Sequence, residues 1–120
     1  MFHSLLFPRA RSHVQANAPT DVYDSGDHYL LQVNAVGFSK EDIEISATHN
    51  TISIEGNKER VAPEGYVPLY KNQSTDNRIQ RSFRFREALD TESIEAHIDN
   101  GLLNIKIPKK SAKKIEIQVL

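Results

Sequence analysis

The sequence predicts an all-β fold, an antiparallel immunoglobulin-like β-sandwich carrying a short N-terminal arm and a C-terminal extension. Three observations lead there. Between residues 20 and 108, apolar residues recur at every second position in short runs, the period of a strand with one buried face. Gly, Asn and Asp separate these runs at close spacing, as expected for a two-sheet all-β domain. No segment sustains the 3.6-residue period of a helix.

The elements follow in order. Residues 1–18 form an arm that opens on Phe2, Leu5, Leu6 and Phe7, turns polar from Arg9 to Ala18 and is closed off by Pro19. The domain, residues 19–109, begins its clear alternation with Tyr29, Leu31 and Val33 on one face, opposed by Leu30, Gln32 and Asn34. Ser39 is placed to cap a short helical turn at Lys40-Glu41-Asp42, the only helical turn the pattern predicts. Ile43, Ile45 and Ala47 alternate with Glu44 and Ser46, and His49-Asn50 turns the chain into Ile52 and Ile54. Residues 56–80 break the rhythm with Pro63, Gly65 and Pro68. Their one apolar patch, Tyr66, Val67, Leu69 and Tyr70, suggests a strand that pairs outside its own sheet. Phe83 and Phe85 resume the pattern, then Ile94, Ala96 and Ile98, then Leu103, Ile105 and Ile107. The Asn100-Gly101 pair between the last two runs is a strong hairpin signal. Lys109 to Lys114 reads as a solvated cationic hinge. Within the extension, residues 110–120, the alternating Ile115-Glu116-Ile117-Gln118-Val119-Leu120 then hangs beyond the last strand of the domain.

Composition narrows the function. At 120 residues the chain is one domain with a single core, and it has no cysteine, which excludes disulfides and thiolate metal sites. The 15 basic and 16 acidic residues leave a formal charge of −1, with no global field to attract nucleic acid or an anionic membrane. No apolar run approaches the roughly 20 residues of a membrane helix, and the opening segment lacks the charged start and long core of a signal peptide. A cytoplasmic location is the expectation.

The chemistry-bearing residues are few. There is no phosphate-binding glycine loop and no dinucleotide fingerprint, so no nucleotide or other cofactor is expected. His3, His13, His28, His49 and His97 fall at no metal-ligand spacing, and Asp24, Asp27 and His28 around Ser25-Gly26 read as a polar turn rather than a ligand set. Arg78, Arg81, Arg84 and Arg86 resemble a basic stripe until strand parity is applied. Arg84 and Arg86 share the polar face, whereas Arg81 shares the apolar face with Ile79, Phe83 and Phe85. A guanidinium on that face requires a carboxylate or carbonyl partner, and its planar fork suits an interface. Both ends of the chain are apolar and lie outside the sandwich pattern, which favours their use between molecules. Ile115 and Ile117 project to one side of an extended segment, as in recognition by strand addition.

Several segments, in this order, resemble the small heat-shock protein (α-crystallin) family. Pro19-Thr20-Asp21-Val22-Tyr23 is similar to its domain opening and Gly37-Phe38-Ser39-Lys40-Glu41-Asp42-Ile43 to its P-G-F-x-K-E-D-I segment. Ala96-His97-Ile98-Asp99-Asn100-Gly101-Leu102-Leu103 resembles its A-x-x-x-N-G-x-L motif, Ile107-Pro108-Lys109 its I-P-K ending and Ile115-Glu116-Ile117 its C-terminal I-x-I tag. The resemblance implies an α-crystallin domain in a homo-oligomer built from dimers, holding unfolding client proteins without ATP and without catalysis. It implies client binding by Phe2, Leu5, Leu6 and Phe7, and a dimer interface at Arg81, Tyr66, Leu69 and Tyr70 with a strand of the 56–80 loop exchanged. The Ile115/Ile117 tag of one dimer would insert between the Ile43–Ala47 and Ile94–Ile98 strands of another, in a groove of Ile43, Ile45, Ile94 and Ile98. Val36 stands where the family has proline, and Tyr70-Lys71-Asn72-Gln73 lacks the Glu-Arg that usually follows the loop tyrosine. From Lys109 to Ile115 the chain spans at most about 20 Å, which restricts the groove the tag reaches. The competing expectation is a CS-domain-like co-chaperone, a similar sandwich that works as a monomer. Such proteins tend to carry acidic tails, whereas this tail is basic and then apolar.

Overall fold

The computed structural model describes residues 18–59, 61–70, 78–110 and 118–120. Among them are seven strands: β1 Thr20–Asp24, β2 His28–Asn34, β3 Ile43–Ala47, β4 Thr51–Asn57, β5 Arg78–Arg84, β6 Glu95–Asp99 and β7 Leu102–Pro108. They form two antiparallel sheets, one in the order β1-β2-β7-β6 and the other β3-β4-β5.

Alternation assigns the faces. In the larger sheet the inward residues pair in register, Tyr29 with Ile107, Leu31 with Ile105 and Val33 with Leu103. In the smaller sheet Ile54 lies between Ile45 and Arg81, and Ile52 between Ala47 and Phe83. Tyr29, Leu31, Val33, Ile52, Ile54, Ile79, Phe83, Leu103, Ile105 and Ile107, with Ala18, Ala35, Phe85 and Leu89, make one buried core, and Ile45 and Ala47 pack against it. Leu31, Val33, Ile52, Ile54, Ile105 and Ile107 are fully buried. Each such side chain contributes about 1.5–3 kcal/mol of transfer energy, so the inward rows hold the two layers together.

The turns behave as their residues dictate. Asn100 (φ 53°) and Gly101 (φ 80°) adopt the left-handed pair that a tight β6–β7 hairpin requires. Thr48 N–H donates to the Thr51 carbonyl across the β3–β4 turn at 2.9 Å. Lys40–Asp42 forms the expected short 3-10 turn.

Three expectations are corrected. The strands flanking the long loop run further than the sequence pattern suggests, to Asn57 and from Arg78. In the loop interior, 61–70, the chain by itself forms no strand, and Tyr66 N–H donates to the Pro63 carbonyl at 3.0 Å; the expected strand is one that pairs outside its own sheet. A second 3-10 turn, Thr91–Ser93, precedes β6, so that strand starts at Glu95 and Ile94 stands before it. Ala18, read as the end of the arm, is buried in the core.

Candidate functional site

Among the described residues, strands β3 and β6 are each paired on one side only, with β4 and β7 respectively. Between them opens an apolar groove of about 480 Å³, lined by Phe38, Ser39, Lys40, Ile43, Ile45, Ala96, His97, Ile98 and Leu103. Its β3 wall follows from alternation: Ile43 and Ile45 face inward and are half-buried, while Glu44 and Ser46 point to solvent. The start of that wall is held by the capping box of the 3-10 turn. Ser39 donates to Asp42 Oδ2 from its backbone N–H at 2.9 Å and from its hydroxyl at 3.0 Å, and Lys58 approaches the same oxygen at 3.7 Å. The Ser39 N–H in particular holds the Asp42 carboxyl below its usual pKa. Phe38 reaches the groove because position 56 is glycine: a Cβ there would lie 3.2 Å from the Phe38 ring and 3.3 Å from Ile79. On the β6 wall, Ile98 stands opposite Leu103 and Ala96 opposite Ile105.

The structure thus brings together Ile43, Ile45 and Ile98 of the expected groove but not Ile94. Ile94 is half-buried against the core and stands outside the lining, because the 3-10 turn at Thr91–Ser93 delays the start of β6. Sequence reading missed Phe38 and Leu103. Phe38 was legible as a lone aromatic in a turn, with no buried neighbour in sequence to account for it. Leu103 was read only as core.

Arg81 lies on the inward face of β5, as parity requires, opposite Ile54 and between Ile79 and Phe83. Its Nη1 donates to the Ala18 carbonyl at 2.8 Å and its guanidinium carbon sits 5.0 Å from the Phe83 ring centroid. Burial pushes its pKa below the ordinary arginine value. The expected carbonyl partner is therefore present, but within the same chain. Within the chain, Arg81 ties Ala18, the last residue of the arm, to the smaller sheet. Tyr66, Leu69 and Tyr70, which the resemblance groups with it, are exposed; Leu69 is 97% exposed. Val61 and Val67 are exposed as well. Phe2, Leu5, Leu6, Phe7, Ile115 and Ile117 lie outside the described residues.

Lys109 corrects another expectation. Read as the first residue of a solvated hinge, its side chain is only 12% exposed and pairs with Asp24 Oδ1 at 3.0 Å and Glu87 Oε1 at 3.1 Å. The ammonium lies 4.8 Å from the Tyr29 ring centroid, and Tyr29 stacks on Phe85 at 4.3 Å while its hydroxyl donates to Glu87 at 3.1 Å. Burial raises the Tyr29 pKa to about 12, reinforced by the hydrogen bond to Glu87. For Lys109 burial opposes the charge, yet Asp24 and Glu87 outweigh it and the pKa stands above the usual lysine value.

One cluster has the composition of a hydrolytic triad. Ser25 Oγ is 2.9 Å from His28 Nδ1, and Asp27 Oδ1 is 2.8 Å from that same nitrogen. A relay needs the nucleophile on one ring nitrogen and the carboxylate on the other. Both contacts here converge on Nδ1, so the trio builds a turn, in which Gly26 N–H also donates to Asp24 at 2.9 Å. Among the described residues no group of three His, Asp or Glu side chains is placed to hold a metal ion, and no helix is long and apolar enough to cross a membrane.

Residues 21–120 match the Hsp20/alpha crystallin family. The chain belongs to that family. It is 29% identical over 116 residues to small heat shock protein C2 of Rickettsia felis, an alignment covering 93% of this chain and 75% of that one. It is 25% identical over 125 residues to a 17.6 kDa class I heat shock protein of Arabidopsis thaliana, covering 98% and 77%. The fold is shared with heat shock protein 16.0 of Schizosaccharomyces pombe, with a TM-score of 0.74 at 22% identity over 94% of this chain and 90% of that one. It is also shared with a small heat-shock protein of Xylella fastidiosa, with a TM-score of 0.71 at 23% identity over 88% and 98%. The sandwich is thus an α-crystallin domain. Membership implies a chaperone role in the stress response and assembly into oligomers, and separates the chain from the CS-type co-chaperone expectation.

Proposed function

We propose that the protein is an ATP-independent holdase that binds unfolding proteins and prevents their aggregation, working in the cytoplasm as an oligomer built from dimers. The observation that carries this reading is the open apolar groove between β3 and β6, in a chain whose own C-terminal sequence supplies a matching Ile115-Glu116-Ile117. A groove flanked by strand edges that no described residue pairs is a surface for strand addition.

The loop supports the dimer. Tyr66, Val67, Leu69 and Tyr70 are more than two-thirds exposed, and a contiguous apolar stretch of this kind marks an interaction site in a stable protein. Its exchange with a neighbouring subunit covers it, and the outer edge of β1, unpaired among the described residues, offers a backbone ladder to receive it. The arm residues Phe2, Leu5, Leu6 and Phe7 supply apolar surface for clients. Burying Ile115 and Ile117 contributes about 1.5–3 kcal/mol each, opposed by roughly 1–2 kcal/mol for each backbone residue ordered. Each tag contact is weak singly, and many together stabilise the particle.

The test is light scattering of a heat-labile client without nucleotide. Suppression at equimolar ratio is expected; a strict ATP requirement or undiminished scattering overturns the reading. Replacing both Ile115 and Ile117 by Ala is expected to release dimers with unchanged far-ultraviolet circular dichroism.

A further inference from the structure

We propose that Lys109 is a positioning residue for assembly: it latches the end of β7 so that the C-terminal tether starts at Lys110 and is too short to seat the Ile115/Ile117 tag comfortably in its own groove. The proposal rests on the reading that this tag docks in the β3–β6 groove.

The latch has backbone and side-chain parts. Lys109 N–H donates to the Asp27 carbonyl at 3.0 Å and Lys110 N–H to the Ala88 carbonyl at 2.9 Å, while the Pro108 carbonyl accepts from Asp90 N–H at 2.8 Å. Lys109 and Leu89 form an isolated antiparallel bridge. The ammonium then joins Asp24, beside the β1–β2 turn, to Glu87, in the segment after β5, across the face of Tyr29. Three separate stretches of chain, 24–29, 87–90 and 108–110, meet at this one cation. An exposed lysine in a solvated hinge would do none of this.

The consequence is one of length. Strand β7 runs from the groove, at Leu103, to the latch, at Lys109. A tag returning to its own groove reverses direction and travels back along that strand. Lys110 is seven residues from Leu103, about 23 Å at strand rise. From Lys110 to Ile115 the chain reaches at most about 18 Å. Even with Ile115 at the Ala96 end of the groove, nothing is left for the reversal or for crossing β6. A chain freed back to Pro108 reaches at most about 25 Å, against about 17 Å along β7 from Pro108 to Leu103, and self-docking becomes available. The latch therefore favours a neighbour's groove over its own.

Two variants separate this from a general loss of stability. Lys109→Met removes the ion pairs and keeps the aliphatic contact with Tyr29; inserting Gly-Ser after Lys110 lengthens the tether and leaves the latch untouched. Native mass spectrometry of both is expected to show a shift to smaller assemblies, with at least a two-fold rise in the dimer fraction at equal concentration and a folded sandwich by circular dichroism. Lys109→Arg, which keeps a cation between the carboxylates, is expected to stay close to the parent. Unchanged particles in both variants overturn the proposal. So does a change in Lys109→Met that the insertion does not reproduce, since the cation then acts through stability alone. The Ile115→Ala/Ile117→Ala protein is the control: if its particle stays intact, the tag reading itself falls. If it dissociates while the two test variants do not change, only the latch proposal falls.

Discussion

The groove and the long loop are both apolar and both open to solvent, yet they are built in opposite ways. The groove walls are strands whose inward residues continue the core: Ile45 pairs with the fully buried Ile54, and Ile98 with the buried Leu103. Its shape exists before any partner arrives. The loop carries Tyr66, Leu69 and Tyr70 on a backbone with no strand and almost no ladder bonds. On the proposed reading it is covered by a neighbouring subunit, and the conformational entropy of ordering it is then a cost of assembly rather than of folding. The difference teaches which substitutions act on folding and which on assembly.

The largest effect is expected where the groove is continuous with the core. Ile54→Ala removes a fully buried side chain on β4, opposite Ile45 of the groove wall, and is expected to cost about 2–5 kcal/mol. A lowered midpoint in urea denaturation checks it. A loss below about 1 kcal/mol would mean that the groove floor is loosely packed and not pre-formed.

Arg81 comes next. It bonds to a neutral carbonyl and is half-buried, so Arg81→Ala is expected to cost about 1.5–3 kcal/mol, the range for a hydrogen bond to a charged group, with Arg81→Lys recovering only part because the planar fork is lost. Denaturation of the two variants measures the framework. Cleavage of the arm by trypsin measures whether the tie to Ala18 is broken, and a faster cut in Arg81→Ala alone is the expected result.

The latch under Tyr29 gives the next term, through pH. Tyr29 has its pKa raised from 10.0 to about 12, so the folded chain keeps a proton that the unfolded chain releases. Its contribution is fully present below pH 10 and is lost as pH rises towards 12. The contribution of Lys109, whose pKa is also raised, is lost in the same direction above the ordinary lysine value of 10.5. A fall on the order of 2 kcal/mol between pH 10 and 12 follows from the Tyr29 shift. Tyr29→Phe is expected to flatten that limb, and an equally steep limb in the variant assigns the loss elsewhere.

The smallest effect on folding and the sharpest contrast come from the loop. Leu69→Ser is expected to change the stability of the sandwich by no more than about 0.5 kcal/mol, while weakening the dimer seen by analytical ultracentrifugation. A destabilisation comparable to that of Ile54→Ala would place Leu69 in the core and erase the comparison.

Much of this was readable in the chain. Period-two alternation identified the buried rows, the parity of Arg81 required its carbonyl or carboxylate partner, and Asn100-Gly101 marked its hairpin. The misses have physical causes. Ile94 carries the spacing of a groove residue, but a 3-10 turn made of Thr91, Glu92 and Ser93 has no apolar period to announce it. Lys109 sits in a run of lysines that looks uniformly solvated.

What the sequence by itself determined about this protein is the set of faces, because a strand's side chains alternate whatever the strand is paired with. The order of motifs along the chain likewise determined the family. Only the tertiary structure decided which faces remain open and which charges are enclosed. The groove exists because two strands from different sheets both end as edges on the same side of the sandwich. Lys109 is held because the β1–β2 turn, the segment after β5 and the end of β7 converge around it. Both arise between residues far apart in the chain, and no local periodicity encodes such a meeting.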